Sequence, residues 1–292
     1  MAASTRVIAS RRLTAEGRRR RVLLAVARHS VALFFTVVFV MPFVFVVLTS
    51  LMTRQQALTR DMWPHPFAWG NYTDVFRLEP IVRYTWVTVQ YAVLATVGVV
   101  LSSVPVAYAL SRMRWRGRGA VFILVIATMM LPSQVTIVPL FVLFVKLHWI
   151  GTLKPLVVPA FFGDAFSIFL LRQFFLTIPE DLVDAARVDG ANEWQIMWNV
   201  VVKLAKPAIA AVGLFQFLFC WNDFFNPLLY AGGNQNIYTL SVGLSQFTTH
   251  HRGTLWNLQM AASVIFMVPV IILFVFAQKA FIEGVTLTGV KG

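Results

Sequence analysis

Residues 31–52 read VALFFTVVFVMPFVFVVLTSLM. About 20 apolar residues in helical form cross the hydrocarbon core of a bilayer, and this stretch meets that length alone. It is too long for the apolar part of a secretory leader, roughly 7–15 residues, and no small-residue cleavage site ends it. It is therefore expected to be a retained first span. Five further stretches qualify, at about 84–111, 120–145, 155–174, 205–231 and 259–281. Prolines inside them (Pro42, Pro105, Pro132, Pro139, Pro159, Pro227, Pro269) are compatible with spans, because neighbouring helices re-satisfy the freed backbone groups. The expected fold class is an all-α membrane protein with about six transmembrane helices.

Composition supports this class. Of 292 residues, 58% are hydrophobic and 13% charged, where a soluble domain carries about 25% charged residues. The +13 formal charge does not point to nucleic acid, because the basic residues fall in short clusters between apolar runs. They follow the bias that orients membrane proteins. With the N-terminus inside, the inner segments hold 18 of the 25 Lys and Arg residues and the outer segments hold 7. The inner group includes eight arginines in residues 1–30 and Arg112, Arg114, Arg116 and Arg118. Both termini are expected on the cytoplasmic side. The chain then divides into a basic N-terminal segment, 1–30, and a transmembrane domain, 31–292. Cys220 is the sole cysteine, so no disulfide framework or Cys-rich metal site is available within the chain. The five histidines show no i, i+4 pair, and no metal site is assigned.

Three connections carry information. Outer residues 53–83, with Trp63, Pro64, Pro66, Trp69 and Tyr72, read as a loop lying on the membrane interface. Outer residues 232–258 open with Gly232-Gly233-Asn234-Gln235-Asn236 and read as a polar, flexible loop. Inner residues 177–199, TIPEDLVDAARVDGANEWQIMWN, are the most patterned. Thr177 and Glu180 have capping-box spacing, with Pro179 in the first turn. Glu180, Asp181 and Asp184 put negative charge near a helix N-terminus, where the dipole favours it. The helix is expected to run to about Asp189 and stop at Gly190, with Asn192 capping a second helix through Gln195. Leu182, Val183, Ala185, Ala186 and Val188 make its apolar side. By pattern alone the pair is either an interfacial element lying on the membrane or a docking element for a cytoplasmic partner. Ala185-Ala186 would allow close approach, and Asp184 could pair with a partner's arginine.

Asp184-Ala185-Ala186, three residues, Gly190, then Ala191-Asn192-Glu193-Trp194-Gln195-Ile196 resembles the cytoplasmic loop motif of permease subunits of binding-protein-dependent ABC importers. Asp184 stands where the family usually has Glu, and Val202-Lys203 where it usually has Leu-Pro. In the same order, Ala107–Arg112, Met130-Leu131-Pro132, Phe169–Phe174, Trp221-Asn222-Asp223-Phe224 and the tail Gly284–Gly292 also match. The tail is similar to that of the second permease of maltose-type and glycerol-phosphate-type systems. The resemblance covers roughly residues 30–292. It implies the type-I importer fold, in which Asp184, Ala185, Ala186 and Gly190 couple the chain to an ATPase. It implies a sister permease subunit in a heterodimer, two ATP-binding-cassette ATPase subunits and an extracytoplasmic solute-binding protein. It also implies residence in the plasma (inner) membrane of a bacterium or archaeon and alternating access driven by the partners. The cargo implied is a sugar (mono-, di- or oligosaccharide) or a glycerol-phosphate-like solute. The turn Gly233-Asn234-Gln235-Asn236 is expected to touch the binding protein. No cofactor is expected in this chain, since no Walker A pattern is present and ATP and Mg belong to the partner ATPases. Neither a hydrolytic nor a zinc-protease motif occurs, so the chain is read as a pore subunit rather than an enzyme.

Acidic residues within spans are costly and usually face a bundle interior or water. Asp164 and Asp223 are the two here. With Trp221, Asn222 and Gln90 they are candidates for the substrate path, Trp221 offering a ring face to a sugar. Asn226 and Ser167 are weaker candidates. The same two acids could instead hold helices together, or carry protons in a transporter working alone.

Overall fold

The computed structural model describes residues 15–250 and 255–289, and among these every regular element is helical. In chain order the α-helices are α1 (Ala15–Ser50), α2 (Gly70–Leu78), α3 (Ile81–Ser111), α4 (Arg118–Thr128), α5 (Ser133–Lys146), α6 (Lys154–Val157) and α7 (Ala165–Thr177). They continue with α8 (Glu180–Val188), α9 (Glu193–Ile196), α10 (Val202–Leu204), α11 (Lys206–Asn222), α12 (Phe225–Ala231), α13 (Leu240–His250) and α14 (Trp256–Gly289). A 3₁₀ stretch, Val158–Phe162, joins α6 to α7.

Among the described residues four segments are long and apolar enough to cross a bilayer: Val22–Ser50, Ile81–Ser111, Lys154–Thr177 and Trp256–Val275. A fifth is bent, with Glu193–Leu204 meeting Lys206–Asn222 at 80°. The remaining expected span, 120–145, is divided into two shorter apolar helices. Pro132 is the cause. It sits extended at ψ 133° before α5 and has no N–H with which to continue the α4 ladder. The span expected over 205–231 also stops early, at Asn222, where Asp223 turns to ψ 119°. α1 starts at Ala15, so the basic segment and the first apolar run share one helix. Residues 1–14 and 290–292 of the basic N-terminus and the matched tail lie outside the described residues.

α3 is the central helix and packs against α7 and α11. Its packed face includes a row of small residues. Ala95, Val99, Ser103, Ala107 and Ser111, at four-residue steps, are all buried. Ala208, Ala211 and Val212 of α11 are buried as well. Lipid is as apolar as leucine, so small residues that let backbones approach are what hold such helices together. The inner end of this core adds Leu171, Phe175, Val183, Ile196 and Val201. α1 does the reverse: its surface from Val22 to Phe45 is almost wholly exposed, as a lipid-facing helix requires.

The connections expected on the outer side carry regular structure among the described residues. Residues 53–83 fold as a short 3₁₀ turn and α2. Buried Asn71 donates to the carbonyls of Ser50 and Met52 and accepts from Asn257 of α14, while Trp63 and Trp69 stay exposed. The stretch 232–258, expected to be flexible, forms a tight turn and then α13, with residues 251–254 outside the described ones. Leu240, Val242 and Phe247 are buried. Gly243 lies so close to α3 that a Cβ there would sit 2.3 Å from the Tyr84 ring. A helix that packs this tightly is not a free probe.

Candidate functional site

The loop expected on the inner side is two helices at a corner. α8 begins at Glu180, with Pro179 in the cap position and no side-chain cap. Thr177 does not cap it. Thr177 ends α7, and its hydroxyl donates to Phe174 O, so the capping-box spacing is accidental. α8 stops at Val188, and Gly190 follows with φ +81°, a left-handed conformation that glycine adopts freely. A Cβ at Gly190 would meet nothing within 4 Å. The corner therefore needs glycine for its backbone, not for lack of room. Asn192 and Gln195 form a complete capping box. The second arm then continues through a π-helical stretch, Met197–Val201, to Leu204.

Ion pairs tie this corner to itself and to α3. Arg187 donates to Asp184 at 2.8 Å and, through Nε, to Glu193 at 3.1 Å, bridging the two arms. The bond to Glu193 holds the Arg187 guanidinium above its ordinary range. Glu193 in turn accepts the Tyr108 hydroxyl of α3 at 2.5 Å. Arg112, at the end of α3, donates to the carbonyls of Phe175 and Ile178. Arg114 pairs with Glu180 at 2.9 Å. Asp184, expected to await a partner's arginine, already has Arg187, though half its side chain stays exposed. The apolar residues of α8 divide between two faces. Val183 is buried and Ala186 packs beside it, whereas Leu182, Ala185 and Val188 point outward. Val188 is 88% exposed.

The spacing of Asp184 and Arg187, three residues apart on a helix, is a legible local pair. Tyr108 and Arg112 carried no such signal, since their partners lie far away in sequence.

Within the membrane domain the structure gathers some candidates and separates others. Asp223 accepts the Tyr91 hydroxyl at 2.9 Å and the Asn226 side-chain amide at 3.1 Å, which ties α3 to the start of α12. Asp164 is the N-cap of α7, accepting from both the backbone and the hydroxyl of Ser167. Asp164, Tyr91, Gln216, Asn226 and Tyr230 line one cavity of about 290 Å³, walled by Phe144 and Phe219. Trp221 does not offer a ring to solvent. It is 1% exposed and stacks on Phe217 at 5.6 Å, because its side chain turns into the outer core with Tyr84 and Phe247. Asn222 is exposed and bonded to its own helix at Leu218 O. Gln90 is half-buried on α3 outside the cavity lining.

The outer turn is built from its polar residues. Asn234 donates to Gly151 O at 2.9 Å and its oxygen caps the turn Gln235–Ile237. Asn236 accepts from Arg83. Gly233 and Gln235 are exposed.

These features define a multi-span, all-helical membrane component with an ion-paired two-helix loop, α8–α10, between two of its apolar segments. The chain matches, over residues 98–286, the family described as the inner membrane component of binding-protein-dependent transport systems, and it belongs to that family. It is 35% identical over 246 residues to the arabinooligosaccharide transport permease AraQ of Halalkalibacterium halodurans, covering 84% of this chain and 86% of the relative. It is 33% identical to AraQ of Bacillus subtilis, covering 92% of this chain and 97% of the relative. To the sn-glycerol-3-phosphate permease UgpE of Pectobacterium atrosepticum it is 32% identical, covering 77% of each chain. Its fold superposes on a chain of a bacterial ABC transporter that imports the acidic polysaccharide alginate, with a TM-score of 0.79, 25% identity, and 89% and 97% coverage. The chain is thus an ABC transporter permease subunit of the inner membrane.

Proposed function

We propose that this chain is one of two permease subunits of an ATP-driven sugar importer and that α8–α10 is its coupling loop. The observation that carries this reading is the bridge Asp184–Arg187–Glu193–Tyr108, which links the outward face of α8 to α3 without a gap. Leu182, Ala185 and Val188 form the surface that seats in a groove of a partner ATPase, with the free oxygen of Asp184 at its rim. Closure of two ATPase subunits on ATP moves α8, and the bridge and α11 carry that motion into the spans. The sister permease completes the pore, and the turn at Gly233–Asn236 receives the solute-binding protein. Both termini face the cytoplasm. ATP and Mg are held by the partners.

The cargo is a neutral sugar or oligosaccharide. The relatives named for arabinooligosaccharides support it, as does the cavity of Tyr91, Gln216, Asn226, Asp164 and Tyr230, which offers hydrogen-bonding groups and no cation. The test is sugar uptake measured beside ATP hydrolysis in the reconstituted complex. Asp184→Lys places a cation against Arg187 and the partner's groove, and is expected to weaken retention of the ATPase subunits. Asp184→Glu is expected to retain them. Full uptake by Asp184→Lys with ATPase subunits retained would overturn the coupling role.

A further inference from the structure

One cleft has no part in the function proposed above. It holds about 910 Å³ where α3 ends, α4 begins and α7 turns into α8. Arg112, Arg114 and Arg118 line it, and Glu180 is the acid among its lining residues. Arg114 bonds Glu180 through one nitrogen but leaves 82% of its side chain exposed. Arg112 Nε is buried and has no hydrogen-bond partner among the described residues. The α4 helix starts at this cleft behind Gly117, which supplies no side chain to its first N–H groups. Three positive groups and open backbone donors thus meet one carboxylate. Such a constellation favours an anion with several acceptor oxygens.

The cleft also stands at a bilayer edge. The apolar runs of α3 and α7 end at Ser111 and Thr177, both of which line it. Apolar side chains stand exposed next to it: Leu176 at 45%, and, on α4, Ile123 at 68% and Leu124 at 66%. Basic clefts between spans at this depth hold phospholipid headgroups. We propose that this cleft binds the phosphate of an anionic phospholipid, with Arg114 and Arg118 on the phosphate and the acyl chains along α4. A soluble phosphate could use the same donors, but it would leave the adjoining apolar wall uncovered. The leaflet follows from the orientation proposed above; the chemistry of the cleft does not depend on it.

The test uses the full-length chain with the subunits that co-purify, held in nanodiscs of phosphatidylglycerol and phosphatidylcholine in equal parts. Lipid retained after detergent transfer is quantified by native mass spectrometry. Wild type is expected to retain phosphatidylglycerol preferentially. Each arginine removed should lower that preference about fivefold, so Arg114→Gln alone and with Arg118→Gln forms a graded series. Arg118 also bonds the carbonyls of Ser111 and Met113, so the single Arg114 variant is the one that leaves that turn intact. Arg116→Gln, the same charge change outside the cleft, is expected to retain the lipid. Equal retention by wild type and both variants overturns the proposal. Inorganic phosphate is added in a second arm. If it displaces phosphatidylglycerol and stabilises the protein against heat in phosphatidylcholine alone, the site takes soluble phosphate and the lipid assignment falls. None of these readouts depends on sugar uptake.

Discussion

Tyr108 of α3 and Glu193 of the inner loop, 85 residues apart, share a hydrogen bond of 2.5 Å. Tyr108 is otherwise packed among Ala107, Val104 and Ile196, so its hydroxyl is held where the loop must come to it. Tyr108→Phe removes that bond and leaves Glu193 with Arg187. A bond to a charged acceptor contributes roughly 1.5–3 kcal/mol, and the half-exposed position puts the loss at the low end. Thermal stability should fall modestly. Sugar moved per ATP should fall several-fold while basal hydrolysis is kept. An unchanged transport-to-hydrolysis ratio would make the bond a static one.

Gly190 tests a distinction between backbone and space. Its φ of +81° disfavours any Cβ, at about 1–2 kcal/mol, although nothing of this chain stands near. Gly190→Ala is expected to lower the melting temperature with the complex still assembled. Gly190→Asn should do so less, since Asn visits this region more readily. Gly190→Trp adds bulk on the partner's side, and there ATP hydrolysis should continue without sugar movement.

Topology can be read with cysteines, because the native Cys220 is fully buried. Gln235 and Asp189 are both exposed. An impermeant maleimide is expected to label Gln235→Cys in intact cells and Asp189→Cys after lysis. The reverse pattern would invert the chain and remove the coupling argument with it.

The outer turn is expected to depend on one side chain. Asn234→Ala loses both the bond to Gly151 and the cap of the following turn, a cost of about 1–2 kcal/mol. Gln235→Ala, on the exposed side of the same turn, should stay within about 0.5 kcal/mol of wild type. Comparing their melting curves and uptake separates folding of the turn from contact with a binding protein.

Much of this was legible in the sequence because membranes impose length and charge rules that need no tertiary knowledge. The apolar runs at 84–111, 155–174 and 259–281 each fall within a candidate span or its continuing helix, and the run at 31–52 overshoots α1 by two residues. The Gly190 corner and the Asn192 cap followed from local backbone chemistry. Two failures share a cause. Trp221 and the stretch after Gly233 were judged by polarity and neighbours in sequence, whereas Trp221 is buried with Tyr84 of α3 and Phe247 of α13, and α13 itself packs on Tyr84. Pro132 was treated as a tolerated kink, yet with Met129–Leu131 already leaving the helix it divides the span. The links through Tyr108 and Arg112 depend on which helix ends meet, and a single sequence does not contain that.

The 80° bend at Ala205 has a mechanical consequence. Ala205 is fully buried, so the joint is clamped by its surroundings. The two helical lengths on either side form a bell crank. At 1.5 Å per residue the short arm, 193–204, is about 18 Å and the long arm, 206–222, about 26 Å. If the elbow pivots as one piece, a push of about 2 Å across the short tip swings the far end of α11 by about 3 Å. That far end is Asn222, next to Asp223 and the hydroxyl of Tyr91, so under the proposed coupling a stroke on the short arm is redirected through about 80° and lengthened on its way along α11.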